Sequence, residues 1–232
     1  MLARLTLRTL LLAGLTFYVG AILYFFGRSA PGPTLRKPAP ATPNQIPATP
    51  NHDLVLETAH GDLRVRLFER ETPASAALVR AVARLPGPCA PCRFYRAEPV
   101  PPFWGDAARP DSSFGGRWGP PYALLQGSIG RHPALAPRAA DAGAGARPAP
   151  LRRGQLAWAG GASANLADFF VALADHPEWG HAHTVFGEVV DADMAVADRI
   201  VQLPRRTNKP ARPSDPEVTQ LVEPVPFALR LS

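Results

Sequence analysis

Residues 183–203 constrain the fold most tightly. His183-Thr184-Val185-Phe186-Gly187-Glu188-Val189-Val190 has the length and the β-branched, aromatic character of a buried strand. The spacing then changes. Met194, Val196, Ala197 and Ile200 fall on one side of a helix-like run from Asp193 to Leu203. A strand passing at once into an amphipathic helix marks a folded core, and other segments upstream supply the rest of it.

The folded part begins at about His52. Leu54 and Leu56, then Leu63, Val65 and Leu67 alternating with charged residues, flank His60-Gly61-Asp62, which predicts a β-hairpin. Thr72-Pro73 opens a helix, with Thr as cap and Pro in the first turn; Ala76, Leu78, Val79, Val82 and Leu85 form its apolar side. Short strands are predicted at 92–97, 122–126 and 154–159, buried-type strands at 169–173 and 184–190, and a last strand pair at 219–231 broken at Pro224 and Pro226. Strands dominate, with one helix near each end. The class is mainly β, and closure into a barrel disposes of the sheet edges.

The chain carries a net charge of +6 over 232 residues. The basic residues are nearly all Arg, with Lys only at 37 and 209, and they are scattered. No interleaved basic and aromatic platform accompanies them, so a nucleic-acid partner is not expected. Residues 9–26, TLLLAGLTFYVGAILYFF, carry no charge. As a helix at ~1.5 Å per residue they span about 27 Å, close to the ~30 Å hydrocarbon core. A cleaved signal peptide fits less well, because Arg28 and Pro31 flank the available small-residue site at Ala30. Residues 1–28 are therefore read as a signal anchor. The Pro-rich run 29–51 is read as an extended stalk and residues 52–232 as the domain. The flanking charges lean towards a single-pass type II arrangement with a lumenal domain, in the Golgi or endoplasmic reticulum.

Several motifs now stand in one order: the strands about Gly61-Asp62, Thr72-Pro73-Ala74-Ser75, Phe94-Tyr95-Arg96, Gln126-Gly127, Asp168-Phe169-Phe170 and His183-Thr184-Val185-Phe186-Gly187-Glu188-Val189-Val190. Together they resemble the cyclophilin-type peptidyl-prolyl cis-trans isomerase domain over roughly residues 53–203. The resemblance implies a closed antiparallel eight-stranded barrel capped by two helices. It also implies rotation about Xaa-Pro bonds of client polypeptides, without cofactor or metal. By the same resemblance Arg96 faces the prolyl nitrogen and Gln126 bonds the substrate backbone. Phe170 floors the proline pocket, Trp158 stands where the family has Met, and His183 sits at the rim.

The sequence also departs from the family. Between Arg96 and Gln126 lie 29 residues, rich in Pro, Gly and Trp, where the family has a handful. The aromatic wall between those residues has Phe103 and Tyr122 as candidates, with Ala123 at the register position. The glycine-rich run after Gln126 continues as Ser128-Ile129, and 157–161 reads Ala-Trp-Ala-Gly-Gly without the family's Asn. A Trp in the pocket implies binding with reduced turnover.

Cys89-Ala90-Pro91-Cys92 lacks further Cys for a zinc site and follows a Pro-Gly-Pro turn, so a local disulfide is the leading reading over a redox pair. His176, His181 and His183 lack a carboxylate-backed ligand pattern, and no metal is expected. The expected function is a membrane-anchored protein that binds, and isomerises, proline-containing polypeptides. The alternative is a non-catalytic interaction module using the 97–125 insert. Asp191-Ala192-Asp193 with an anchor and stalk raises a Golgi glycosyltransferase as a weaker rival, although the βαβ rhythm of a nucleotide-sugar fold is missing.

Overall fold

The computed structural model describes residues 53–112, 115–132, 141, 150–161, 165–209 and 217–232. The expected membrane helix and stalk lie outside the described residues. Nine strands form one antiparallel sheet: β1 (Leu54–Thr58), β2 (Gly61–Leu67), β3 (Arg93–Glu98), β4 (Leu124–Ser128), β5 (Gln155–Trp158), β6 (Asp168–Ala172), β7 (Val185–Val189), β8 (Arg205–Asn208) and β9 (Val218–Leu231). Their order is β1-β2-β7-β5-β6-β4-β3-β9-β8, and pairing of β1 with β9 closes the first eight into a barrel. β8 flanks β9 outside the closed set. Among the described residues two α-helices, α1 (Pro73–Ala83) and α2 (Met194–Ile200), accompany the sheet.

Period-2 alternation explains the interior. Leu54 pairs with Val65 and Leu56 with Leu63, and all four are buried. They meet Phe94, Leu125, Leu156, Phe169, Val171 and Phe186 from the other strands. Ala76, Val79 and Val82 of α1 and Met194, Ala197 and Ile200 of α2 join the same cluster. Leu85 lies past the end of α1 and is 41% exposed, contrary to the expected apolar side. The hydroxyl of Thr72 does not cap the helix either; it donates to the Phe68 carbonyl. Asp141 takes that role from a distant loop. Its carboxylate accepts the backbone N–H of Ala74 at 2.6 Å and of Ser75 at 2.9 Å, and it also accepts the Ser75 hydroxyl. A carboxylate at the positive end of a helix satisfies both the free donors and the dipole.

A second buried cluster lies on the other face of the sheet. It holds Phe68, Tyr122, Leu124, Leu151, Ala157, Phe170, Ala172 and Val185, with Trp179 packed against it. Register places it: Leu124 opposes Ala172, and Ala157 opposes Phe170.

The last strand is continuous across 14 residues rather than a broken pair. Its residues 218–221 pair with β8 and 227–231 with β1. Pro224 and Pro226 fall in the gap between these partners, where a missing N–H breaks no ladder on that edge. A cavity of about 400 Å³, lined by His60, Pro204 and residues 222–226, occupies the gap.

Candidate functional site

Arg96 reaches the site through an irregularity in β3. Phe94 pairs with Gly127, yet Arg96 pairs with the adjacent Gln126, so Tyr95 is an extra residue in the strand. Without this bulge Phe94 and Arg96, two apart, would share a face. With it Phe94 points into the core, Arg96 points out, Ala97 returns to the core, and Glu98 lies outward beside Arg96. On β4 Gln126 shares the outer face with Leu124 and opposes Phe170 of β6.

The outward polar groups form one chain of hydrogen bonds. Arg96 donates from Nε to Glu98 at 2.8 Å and from Nη1 to the Gln126 side-chain carbonyl at 3.1 Å. Gln126 donates its amide to the Tyr95 hydroxyl at 2.5 Å. These contacts fix which way the Gln126 amide faces. The Tyr95 hydroxyl is pushed up to about 12 by burial and by the Asp168 charge, against the opposing influence of Gln126 and Arg96. Tyr95 is therefore a neutral donor or acceptor throughout the physiological range.

Of the two aromatic-wall candidates, Tyr122 is the one that lies beside Arg96. Its ring lies 5.7 Å from the Arg96 guanidinium carbon, and its backbone N–H donates to Glu98 at 2.7 Å. Its hydroxyl is buried without a hydrogen-bond partner among the described residues. Burial, followed by the Glu98 charge, raises the Tyr122 pKa, while Arg96 opposes the rise.

Phe170 is 2% exposed. Trp179 and His183 meet it edge-on, with ring centroids 5.4 and 5.1 Å away. His183 Nδ1 lies 3.0 Å from the Trp158 carbonyl, which can only accept, so Nδ1 carries the proton and Nε2 is the free acceptor of the neutral ring. Burial is the main cause that lowers the His183 pKa. Trp179, from the turn Pro177–Trp179, was not singled out by sequence. It stacks on the buried His176 ring at 3.8 Å and so walls Phe170. Its only signal was a lone Trp close before His183. Glu98, missed as well, was legible as an acid two residues beyond Arg96 on one strand.

Two expected residues are not brought to this face. Trp158 points into the barrel, 1% exposed, stacked on Phe186 at 4.4 Å, with its indole N–H donated to the Ser75 hydroxyl at 2.8 Å. Alternation along β5 decides this: Ala157 faces Phe170, so its neighbour Trp158 faces inward. Only the backbone carbonyl of Trp158 touches the site. Phe103 is held within the insert, under the Arg109 guanidinium at 3.6 Å. The insert instead docks through Trp104, whose indole donates to the Asp175 carbonyl at 3.2 Å and whose ring meets His176 at 4.9 Å.

Cys89 and Cys92 are disulfide-bonded, with Cα atoms 5.2 Å apart, in the turn that leads into β3. Asp193 of the D-x-D sequence binds Arg64 through both oxygens, at 2.7 Å each. Among the described residues no group of three or more His, Cys, Asp or Glu is arranged to hold a metal ion.

A closed eight-stranded barrel with two helices and this outer polar chain defines a cyclophilin-like protein. Residues 54–220 match the family model for the cyclophilin type peptidyl-prolyl cis-trans isomerase/CLD, and the chain belongs to that family. Comparison with curated proteins finds no match. Among solved structures it is similar to a cyclophilin type peptidyl-prolyl cis-trans isomerase of Cryptosporidium parvum, at 14% identity, 78% of this chain, 97% of that chain and a TM-score of 0.45. The same protein in the presence of the dipeptide Ala-Pro is similar at 16% identity, over 78% and 98% of the chains, with a TM-score of 0.43.

Proposed function

We propose that this chain is a peptidyl-prolyl cis-trans isomerase that acts on Xaa-Pro segments lying across Arg96, Gln126 and Phe170. The reaction opposes an amide-resonance barrier of ~18–20 kcal/mol. Twisting the amide localises a lone pair on the prolyl nitrogen, which then accepts a hydrogen bond that the planar amide refuses. A donor already in place stabilises the twisted state more than the planar one, which is the requirement for rate acceleration. The observation that carries the reading is Arg96: its guanidinium is held by Nε and Nη1, and Nη2 makes no hydrogen bond among the described residues. In this reading Gln126 and Tyr122 align the peptide, Phe170 underlies the proline ring, and Trp179 and His183 enclose it.

A coupled isomerisation assay on a Pro-containing peptide tests it. Arg96→Ala is expected to lower kcat/KM by about 100- to 1,000-fold, the usual cost of one preorganised donor. Retained peptide binding without measurable turnover in the wild type refutes the enzyme reading. That result would favour the second reading, a non-catalytic interaction module. The burial of Phe170 supports this alternative, because a proline ring must displace neighbours to reach it. We further place the domain in a secretory lumen, on the strength of the uncharged run 9–26 and its flanking charges. Protease protection in sealed vesicles checks that arrangement.

A further inference from the structure

A buried acid beside the guanidinium is the feature of this site that the isomerase chemistry leaves unexplained. Glu98 is 1% exposed. Its Oε1 accepts from Arg96 Nε at 2.8 Å and from the backbone N–H of Thr219 on β9 at 3.2 Å. Its Oε2 accepts from the backbone N–H of Tyr122 at 2.7 Å. All three neighbours are donors and an ionised carboxylate is acceptor-only, so the charged form is matched on each side. The residues it joins come from three places: β3, the returning end of the long insert, and β9.

We propose that Glu98 is the positioning residue for Arg96, a proposal that rests on the isomerase reading above. One hydrogen bond leaves a guanidinium free to swing about that bond. Two bonds to different edges, Nε to Glu98 and Nη1 to Gln126, fix its plane. Nη2 is then left as the donor for the twisted prolyl nitrogen. Because the same carboxylate holds Tyr122, the wall and the donor keep a constant separation whatever the rest of the insert does. Gln in place of Glu98 offers one acceptor and one donor group to three donors, so it cannot hold Arg96 and Tyr122 together.

The test uses the full-length chain, with isomerisation kinetics and side-chain NMR of ¹⁵N-labelled arginine on wild type, Glu98→Gln, Arg96→Ala and the double variant. Glu98→Gln is expected to lower kcat by about 10- to 100-fold, the scale of a misplaced group, with KM little changed. The double variant is expected to be no slower than Arg96→Ala alone, since one residue acts through the other. The Arg96 Nε–H resonance is expected to be protected from exchange in wild type and to lose protection in Glu98→Gln, with the barrel amide spectrum retained. Additive losses in the double variant, or a raised KM with kcat unchanged, overturn the proposal and leave Glu98 a structural acid. An unprotected Arg96 Nε–H in wild type overturns it without reference to any variant. A protected Nε–H in a wild type that does not turn over removes the isomerase reading and leaves the tether standing.

Discussion

Trp158→Phe discriminates between an indole inside the barrel and one in the proline groove. The ring is buried against Phe186, and its N–H bonds the Ser75 hydroxyl. Phenylalanine keeps the stack but removes the donor and about two methylene equivalents of buried apolar volume, at about 0.8 kcal/mol each. The lost hydrogen bond adds about 1 kcal/mol. Ser75 still donates to Asp141, so no donor is orphaned. The expected destabilisation is therefore about 2–3 kcal/mol. For a domain of this size that lowers Tm by about 5–10 °C. Because the side chain does not face Phe170, the affinity for an Xaa-Pro peptide should stay within about twofold at temperatures where the fold is intact. Thermal unfolding by circular dichroism and a peptide titration give the two numbers. An unchanged Tm together with a severalfold change in peptide affinity refutes the inward placement.

Asp141→Ala removes the carboxylate from the α1 N-terminus and is expected to cost about 1–2 kcal/mol, read as a lower urea midpoint at constant slope. No shift in the midpoint would show that the helix does not depend on this contact. Tyr122→Phe deletes a buried hydroxyl without a partner among the described residues and should be neutral or stabilising by up to about 1 kcal/mol; a drop in Tm would reveal a bound partner for that oxygen. His183 has a folded pKa below its ordinary 6.5, chiefly through burial. Below pH 6.5 the unfolded chain takes up its proton first, so this contribution to stability is full above 6.5 and is lost as pH falls. In His183→Gln the decline of Tm as pH falls below 6.5 should be shallower, and an unchanged slope would assign it to other groups.

What the sequence made legible was what repeats. Alternation disclosed β2, and a helical period disclosed α2, because in both the buried positions are apolar and the charged ones face outward. β8 was invisible: Arg205–Asn208 has no apolar face, and it is a strand only because β9 offers an edge. The cap of α1 was misread because Thr72 is the local candidate while the true partner, Asp141, is 66 residues from Ser75. Arg96, Gln126, Phe170 and His183 were singled out by their motifs, and the outer face of the sheet brings the four together. Trp158 was misplaced because a motif aligns positions, whereas which side of a strand a residue takes is set by pleat and register. Glu98 and Trp179 belong to no motif and emerge only as neighbours in space.

The bulge at Tyr95 divides the chain into lengths that can change and lengths that cannot. Downstream of Glu98, the loop to Tyr122 returns to a fixed hydrogen bond, so residues can be added between those points without altering which face Arg96 occupies. Between the Cys89–Cys92 turn and Glu98 there is no such latitude. One residue gained or lost between Phe94 and Arg96 removes or doubles the bulge and puts both on one face, so that either Arg96 enters the core or Phe94 meets solvent. The long insert is therefore tolerated where it stands because it begins just after the last position at which counting matters.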